Sequence, residues 1–215
     1  MKRKLSLLAI LAICAAVVAT GTLAYFTAED TAHNVITTGS VGIELVEKTK
    51  DDTGAEVAFP ENGISGVMPG QSVSKIVSVK NTGEAEAWIR VWVNVAISEP
   101  GDPISNPTIK CLPLEIEVNG EMIPVITMDT DADKWLYEDG YYYYTEPVPV
   151  YEEKDGKVIG ITDTLFENVT FAKEMGNEYQ NCKVYIDVAA EAVQTANNPI
   201  PDNGDVTDVK GWPNA

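Results

Sequence analysis

Apolar and polar residues alternate with a period of two along much of this chain, and turn formers interrupt the alternation roughly every ten residues. No other feature restricts its fold so much. Between Ile89 and Ile97, residues Ile89, Val91, Val93, Val95 and Ile97 point one way, and Arg90, Trp92, Asn94 and Ala96 the other. From Val184 to Ala192, residues Val184, Ile186, Val188, Ala190 and Ala192 share a face opposite Tyr185, Asp187 and Glu191. Successive side chains of a strand project to opposite faces, so each run reads as a β-strand with one face in a core.

Leu112, Leu114, Ile116 and Val118 alternate with Pro113, Glu115 and Glu117. Asn119-Gly120 then supplies the left-handed dihedrals of a two-residue hairpin, and Met122 to Ile126 begins the return strand. Val41, Ile43 and Leu45 form a shorter run. Pro69-Gly70 opens a strand through Val73, Val77 and Val79, which Asn81-Thr82-Gly83 turns into the Ile89 strand. Tyr141–Tyr144, Val148–Tyr151 and Lys157–Ile161 read as short strands, with Asp155-Gly156 a second hairpin turn. Thr164–Phe171 alternates as well, with a helical turn around Leu165 as the other reading. No stretch sustains a helical repeat, and residues 197–215, rich in Pro, Asn, Asp and Gly, read as an extended tail. The expectation is an all-β domain of two packed antiparallel sheets, a β-sandwich.

The N-terminus carries a different signal. Lys2-Arg3-Lys4 leads into an apolar stretch from Leu5 to Ala19, followed by Thr22 and Ala24 at the spacing a signal peptidase accepts. The apolar run of roughly 15 residues is shorter than the about 20 that a membrane span requires. Residues 1–24 are therefore expected to be a cleaved signal peptide, with Ala24 the last residue removed and Tyr25 the first retained. Cys14 does not make this a lipoprotein signal, because Ile13 precedes it where a small residue is needed.

Cleavage would remove three basic groups and no acidic one, so the formal charge of −18 becomes −21. Such an excess of carboxylates disfavours nucleic acid, whose phosphates require Lys and Arg, and disfavours anionic membranes. After cleavage two cysteines remain, Cys111 and Cys182. They pair in one disulfide, as an oxidising compartment permits, or sit apart as small core residues.

Little in the sequence points to catalysis. One histidine, His33, cannot supply a His-Glu-x-x-His zinc site and leaves little room for a Ser-His-Asp triad, for which no Gly-x-Ser-x-Gly elbow is present either. Asp52-Thr53-Gly54 occurs once, after Lys50-Asp51, and reads as a solvated turn rather than half of a carboxylate dyad. Asp129, Asp131 and Asp133 match the first three carboxylates of a calcium loop. However, Lys134 stands where that loop needs glycine, and Gly140 where it needs a bidentate glutamate, so the triplet is a weak calcium candidate. Tyr141–Tyr144 reads as an aromatic-filled strand. No enzyme activity, cofactor or bound metal is expected.

Four blocks of sequence resemble the TasA/camelysin family of exported bacterial proteins, whose signal peptides are processed by the SipW-type signal peptidase. The first is Gly21-Thr22-Leu23-Ala24-Tyr25-Phe26-Thr27 followed by Asn34, Thr38-Gly39 and Val41-Gly42-Ile43. The second is Pro69-Gly70 leading to Val77–Gly83 and Trp88–Val91. Asp139–Tyr144 with Thr164-Leu165-Phe166 makes the third, and Ile186–Gln194 the fourth. The resemblance implies a jelly-roll-like sandwich, secreted to the extracellular matrix or cell surface, that contributes to fibres or biofilm matrix. Metallopeptidase activity, with which camelysin relatives have been classed, finds no ligand motif here. A surface adhesin using the aromatic and acidic stretch Trp135–Tyr151 is the alternative.

The resulting division is a signal peptide (1–24), an N-terminal arm (25–40), a sandwich domain (41–196) with a candidate insertion near 122–163, and the tail (197–215). The arm carries Tyr25, Phe26, Val35 and Ile36 and no proline, so it can add as a strand to another subunit's sheet. The expected partners are copies of the chain itself, joined head to tail, and the signal peptidase. Neither nucleic acid nor, after cleavage, a membrane is expected.

Overall fold

The computed structural model describes residues 33–34, 41–61, 63–99 and 111–213. The expected signal peptide, the cleavage pair Ala24 and Tyr25, and the arm residues Phe26, Val35 and Ile36 lie outside the described residues. Within them the chain is all-β. Its strands are β1 (His33–Asn34), β2 (Ile43–Lys50), β3 (Glu56–Ala58), β4 (Ser72–Asn81), β5 (Ala87–Ser98), β6 (Glu115–Val118) and β7 (Glu121–Pro124). They continue as β8 (Ile126–Met128), β9 (Trp135–Glu138), β10 (Tyr141–Tyr144), β11 (Glu152–Lys154), β12 (Lys157–Ile159), β13 (Phe166–Phe171) and β14 (Lys183–Gln194).

Two five-stranded sheets are formed, in the orders β1-β14-β5-β10-β9 and β3-β2-β4-β13-β8. Their pairings are antiparallel apart from β1 with β14. Ile89, Val91, Val188, Ala190 and Ala192 from the first sheet share one buried cluster with Ile43, Val77, Val79, Phe166 and Val169 from the second. The apolar positions of the alternating runs thus meet face to face, as in a sandwich.

Turn chemistry sets the hairpins. Asn119-Gly120, Asp139-Gly140 and Asp155-Gly156 all have positive φ at both residues, the dihedrals a two-residue hairpin turn requires. They close β6–β7, β9–β10 and β11–β12. The Asp139-Gly140 hairpin was not anticipated, and it makes the stretch from Trp135 to Tyr144 two strands of the first sheet. Residues 122–163, a candidate insertion by sequence, supply Val125, Trp135, Tyr144 and Val148 to the interior.

Three local departures from the expected strands have plain causes. The Leu112–Val118 run is strand only from Glu115, because Pro113 has no N–H for the ladder. In β4, Ser74 pairs with Asn168 and Val77 with Phe166, leaving one extra residue on β4. That bulge breaks the alternation, so Lys75, Ile76 and Val77 are all buried. The buried Lys75 ammonium is ion-paired with Glu47 and lies 4.2 Å from the Phe59 ring centroid, which offsets its loss of water. Finally, the segment expected as an extended tail forms a 3₁₀ turn at Val206–Asp208 and buries Val206, Val209 and Trp212.

The interior and the β11–β12 ribbon should respond to truncation very differently. Ile89→Ala, which opens a cavity in the shared core, is expected to cost about 2–5 kcal/mol in denaturant unfolding. Val158→Ala on the exposed ribbon should stay within about 0.5 kcal/mol of the parent.

Candidate functional site

The β5–β14 pair runs twelve residues in unbroken register, from Lys183 opposite Ser98 to Gln194 opposite Ala87. One side of β14 is therefore fully committed to β5. On its other side the described partner is β1, parallel, with His33 opposite Ala189 and Asn34 opposite Ala190. Among the described residues no strand pairs with the stretch from Lys183 to Val188 on that side. A row of backbone groups at a sheet edge is a template for a further strand.

On the outer face of the same ladder, Arg90 and Glu191 sit directly opposite each other. Both are polar positions of the alternation, yet they are only 5% and 6% exposed. The Arg90 Nε and Nη2 atoms lie 2.7 and 2.6 Å from Glu191 Oε2, and Nη1 donates to the Tyr143 hydroxyl at 3.3 Å. Aromatic rings enclose the guanidinium: Tyr141 at 3.9 Å, Trp212 at 4.6 Å and Tyr143 at 5.9 Å.

The C-terminal segment makes this burial possible. Trp88 Nε1 donates to the Asn198 carbonyl at 2.9 Å, and Trp88, Tyr143, Val193, Val206, Val209 and Trp212 form a second apolar cluster. Asp205 and Asp208 cap the short turn between them, each accepting from the other end's backbone. The segment is thus a strap across the outer face. The sequence signal for it was the apolar series Val206, Val209, Trp212 within an otherwise polar stretch.

The remaining candidates are not brought together. Asp129 Oδ1 accepts from the backbone N–H groups of Glu167 and Asn168, and Oδ2 from the Asn168 amide. Burial alone would raise the Asp129 carboxyl, but these bonds hold it below its ordinary value. Asp131 Oδ1 accepts from the Asp133 backbone in a local turn. Among the described residues no three metal-ligating side chains cluster, so the calcium candidate is not assembled. Lys134 is bound to Glu146 at 2.7 Å and lies 3.6 Å from Asp163. Asp163 also accepts from the Tyr144 hydroxyl at 2.6 Å. Burial, and then this bond, push the Tyr144 phenol up to about 12.

Cys111 and Cys182 are free thiols in the structure, the first exposed and the second half-buried. Ser98 is bridged to Cys111 and, on its other side, paired with Lys183, so β5 runs between the two cysteine-bearing segments. Asp51, next to the Asp52-Thr53-Gly54 triplet, accepts from Thr53 and Ala55 in an exposed turn between β2 and β3. Among the described residues no helix is long and apolar enough to cross a membrane. Compared with known proteins, the chain matches no family model, and no curated protein is significantly similar to it.

Removing one member of the enclosed pair should leave an unpaired buried charge. Glu191→Ala is expected to cost about 3–5 kcal/mol in chemical unfolding. The double variant Arg90→Met with Glu191→Leu should recover most of that loss. A separate effect is expected from Tyr144. Its folded pKa lies above the ordinary 10, so its contribution is complete below about pH 10 and is lost as pH rises toward 12. Tyr144→Phe should remove that alkaline step from a stability–pH profile.

Proposed function

We propose that this chain is a secreted, non-catalytic structural subunit of extracellular fibres or biofilm matrix, of the TasA/camelysin kind, with a jelly-roll-like sandwich. In this reading the signal peptidase cleaves after Ala24 and frees the arm, residues 25–40. The arm of one copy then adds beside an edge strand of the next, as in donor-strand complementation. The contact is head to tail, so it propagates as a filament instead of closing as a dimer.

The observation that carries the reading is the side of β14 that faces away from β5. A two-residue segment of the arm, His33–Asn34, already lies parallel to it, and the Lys183–Val188 stretch has no described strand on that side. In the proposed assembly the donated arm would run along this side of β14, where arm backbone from the same chain already pairs at Ala189 and Ala190. The charge adds to this, since a strongly acidic subunit favours ordered backbone pairing over indiscriminate clumping.

A chain beginning near Gly39 tests it. That protein should remain folded by circular dichroism and form no filaments under conditions where protein beginning at Tyr25 does so. Filaments of normal appearance from the shortened chain would dispose of the mechanism.

A further inference from the structure

The outer face of the first sheet continues beyond the strap, and its character changes there. Register places Glu138 on β9 opposite Tyr141 on β10, Tyr141 opposite Trp92 on β5, and Trp92 opposite Ala189 on β14. These four residues form one row across the sheet. One row further along, Asn94 on β5 faces Asp187 on β14. Trp92 is 39% exposed, whereas Trp88, Trp135 and Trp212 are all buried. Ala189, with a single methyl group, is too small to cover the neighbouring indole. Glu138, Asn94 and Asp187 are exposed beside it.

We propose that this face, centred on Trp92, is a binding platform for a polysaccharide of amino sugars bearing free amines. The apolar face of a sugar ring suits a flat, half-exposed indole on an open sheet. An ammonium beside that indole gains a cation–π attraction, for which tryptophan is the best partner. Carboxylates stand on two sides of it. Glu138 is two strands away, about 10 Å, and Asp187 is the diagonal cross-strand neighbour at about 7–8 Å. Spacing of this order fits successive charged rings of a polymer better than one isolated sugar. Asn94 offers both donors and an acceptor, which sugar hydroxyls can satisfy and the donor-only head of a lysine or arginine cannot.

Charge and rigidity point the same way. The chain's formal charge of −18 attracts a polycation and repels anionic polymers. Tyr141 is held from below by the Arg90 guanidinium, which is itself fixed by Glu191 and covered by the strap. A platform already immobilised loses little further freedom on binding. The inference concerns one face of a single copy and does not depend on how copies assemble.

The test uses the purified full chain and oligomers of β-linked glucosamine, followed by tryptophan emission. Because the other three tryptophans are buried, a saturable spectral shift reports Trp92. Trp92→Ala should weaken retention on glucosamine-polymer beads at least tenfold while leaving the folded circular-dichroism spectrum unchanged. Asp187→Asn should weaken it several-fold and flatten its salt dependence. The fully N-acetylated oligomers, which lack the charge, should bind more weakly than the free amines. Retention that survives Trp92→Ala intact would mean adsorption by net charge alone and would overturn the proposal. So would the absence of any shift with glucosamine oligomers, or polylysine binding with the same dependence on Trp92, which would assign the face to basic peptides.

Discussion

The antiparallel ladder between β5 and β14 is the constraint on which the rest of the molecule depends. Its inner face supplies Ile89, Val91, Val188, Ala190 and Ala192 to the core, and hydrophobic burial there holds the second sheet in place. Its outer face carries Arg90 and Glu191, whose enclosure gives the C-terminal strap something specific to cover. On its other side β14 pairs, among the described residues, with β1 at Ala189 and Ala190. One pairing thus generates a core and a covered ionic site from the same residues.

The ionic site is unusual for where it sits. A charged pair on a solvated sheet face contributes little, since water screens it and its side chains are costly to hold still. Here Tyr141, Tyr143 and Trp212 replace water around the guanidinium, and the Tyr143 hydroxyl satisfies a further N–H. Such a pair gives orientation more than stability, because desolvation consumes much of the Coulombic gain. Its role is to fix the strap in one position and Tyr141 in one orientation.

Much of the fold was legible in the sequence. Period-two alternation identified β5 and β14, and Asn119-Gly120 and Asp155-Gly156 announced their hairpins, because those features are local and their physics is local. Asp139-Gly140 carries the same turn chemistry, but the tyrosine run beside it obscures the hairpin in the sequence. The β4 bulge was not legible, since it depends on how Asn168 and Phe166 register across the sheet. Nor was the enclosure of Arg90 and Glu191. Both occupy the polar phase of their strands, and only a segment far away in sequence, ending in Trp212, decides that they are buried. For the same reason the sequence does not distinguish Trp92 from the other outward residues of β5, although it alone of the four tryptophans is exposed. The acidic triplet shows the converse: Asp129, Asp131 and Asp133 are adjacent in sequence, but Asp129 is drawn away to the backbone of β13.

The separation bridged by the central ladder has a kinetic consequence. Arg90 and Glu191 stand 101 residues apart, and every rung of the β5–β14 pairing closes a loop of comparable size. The entropy of that closure is lost before the core can reward it, which places folding of this domain at the slow end for its size. During that interval β14 has neither of its neighbours, and its apolar alternate residues face water. The strand on which both the core and the covered ionic site depend therefore stands without partners while the molecule forms.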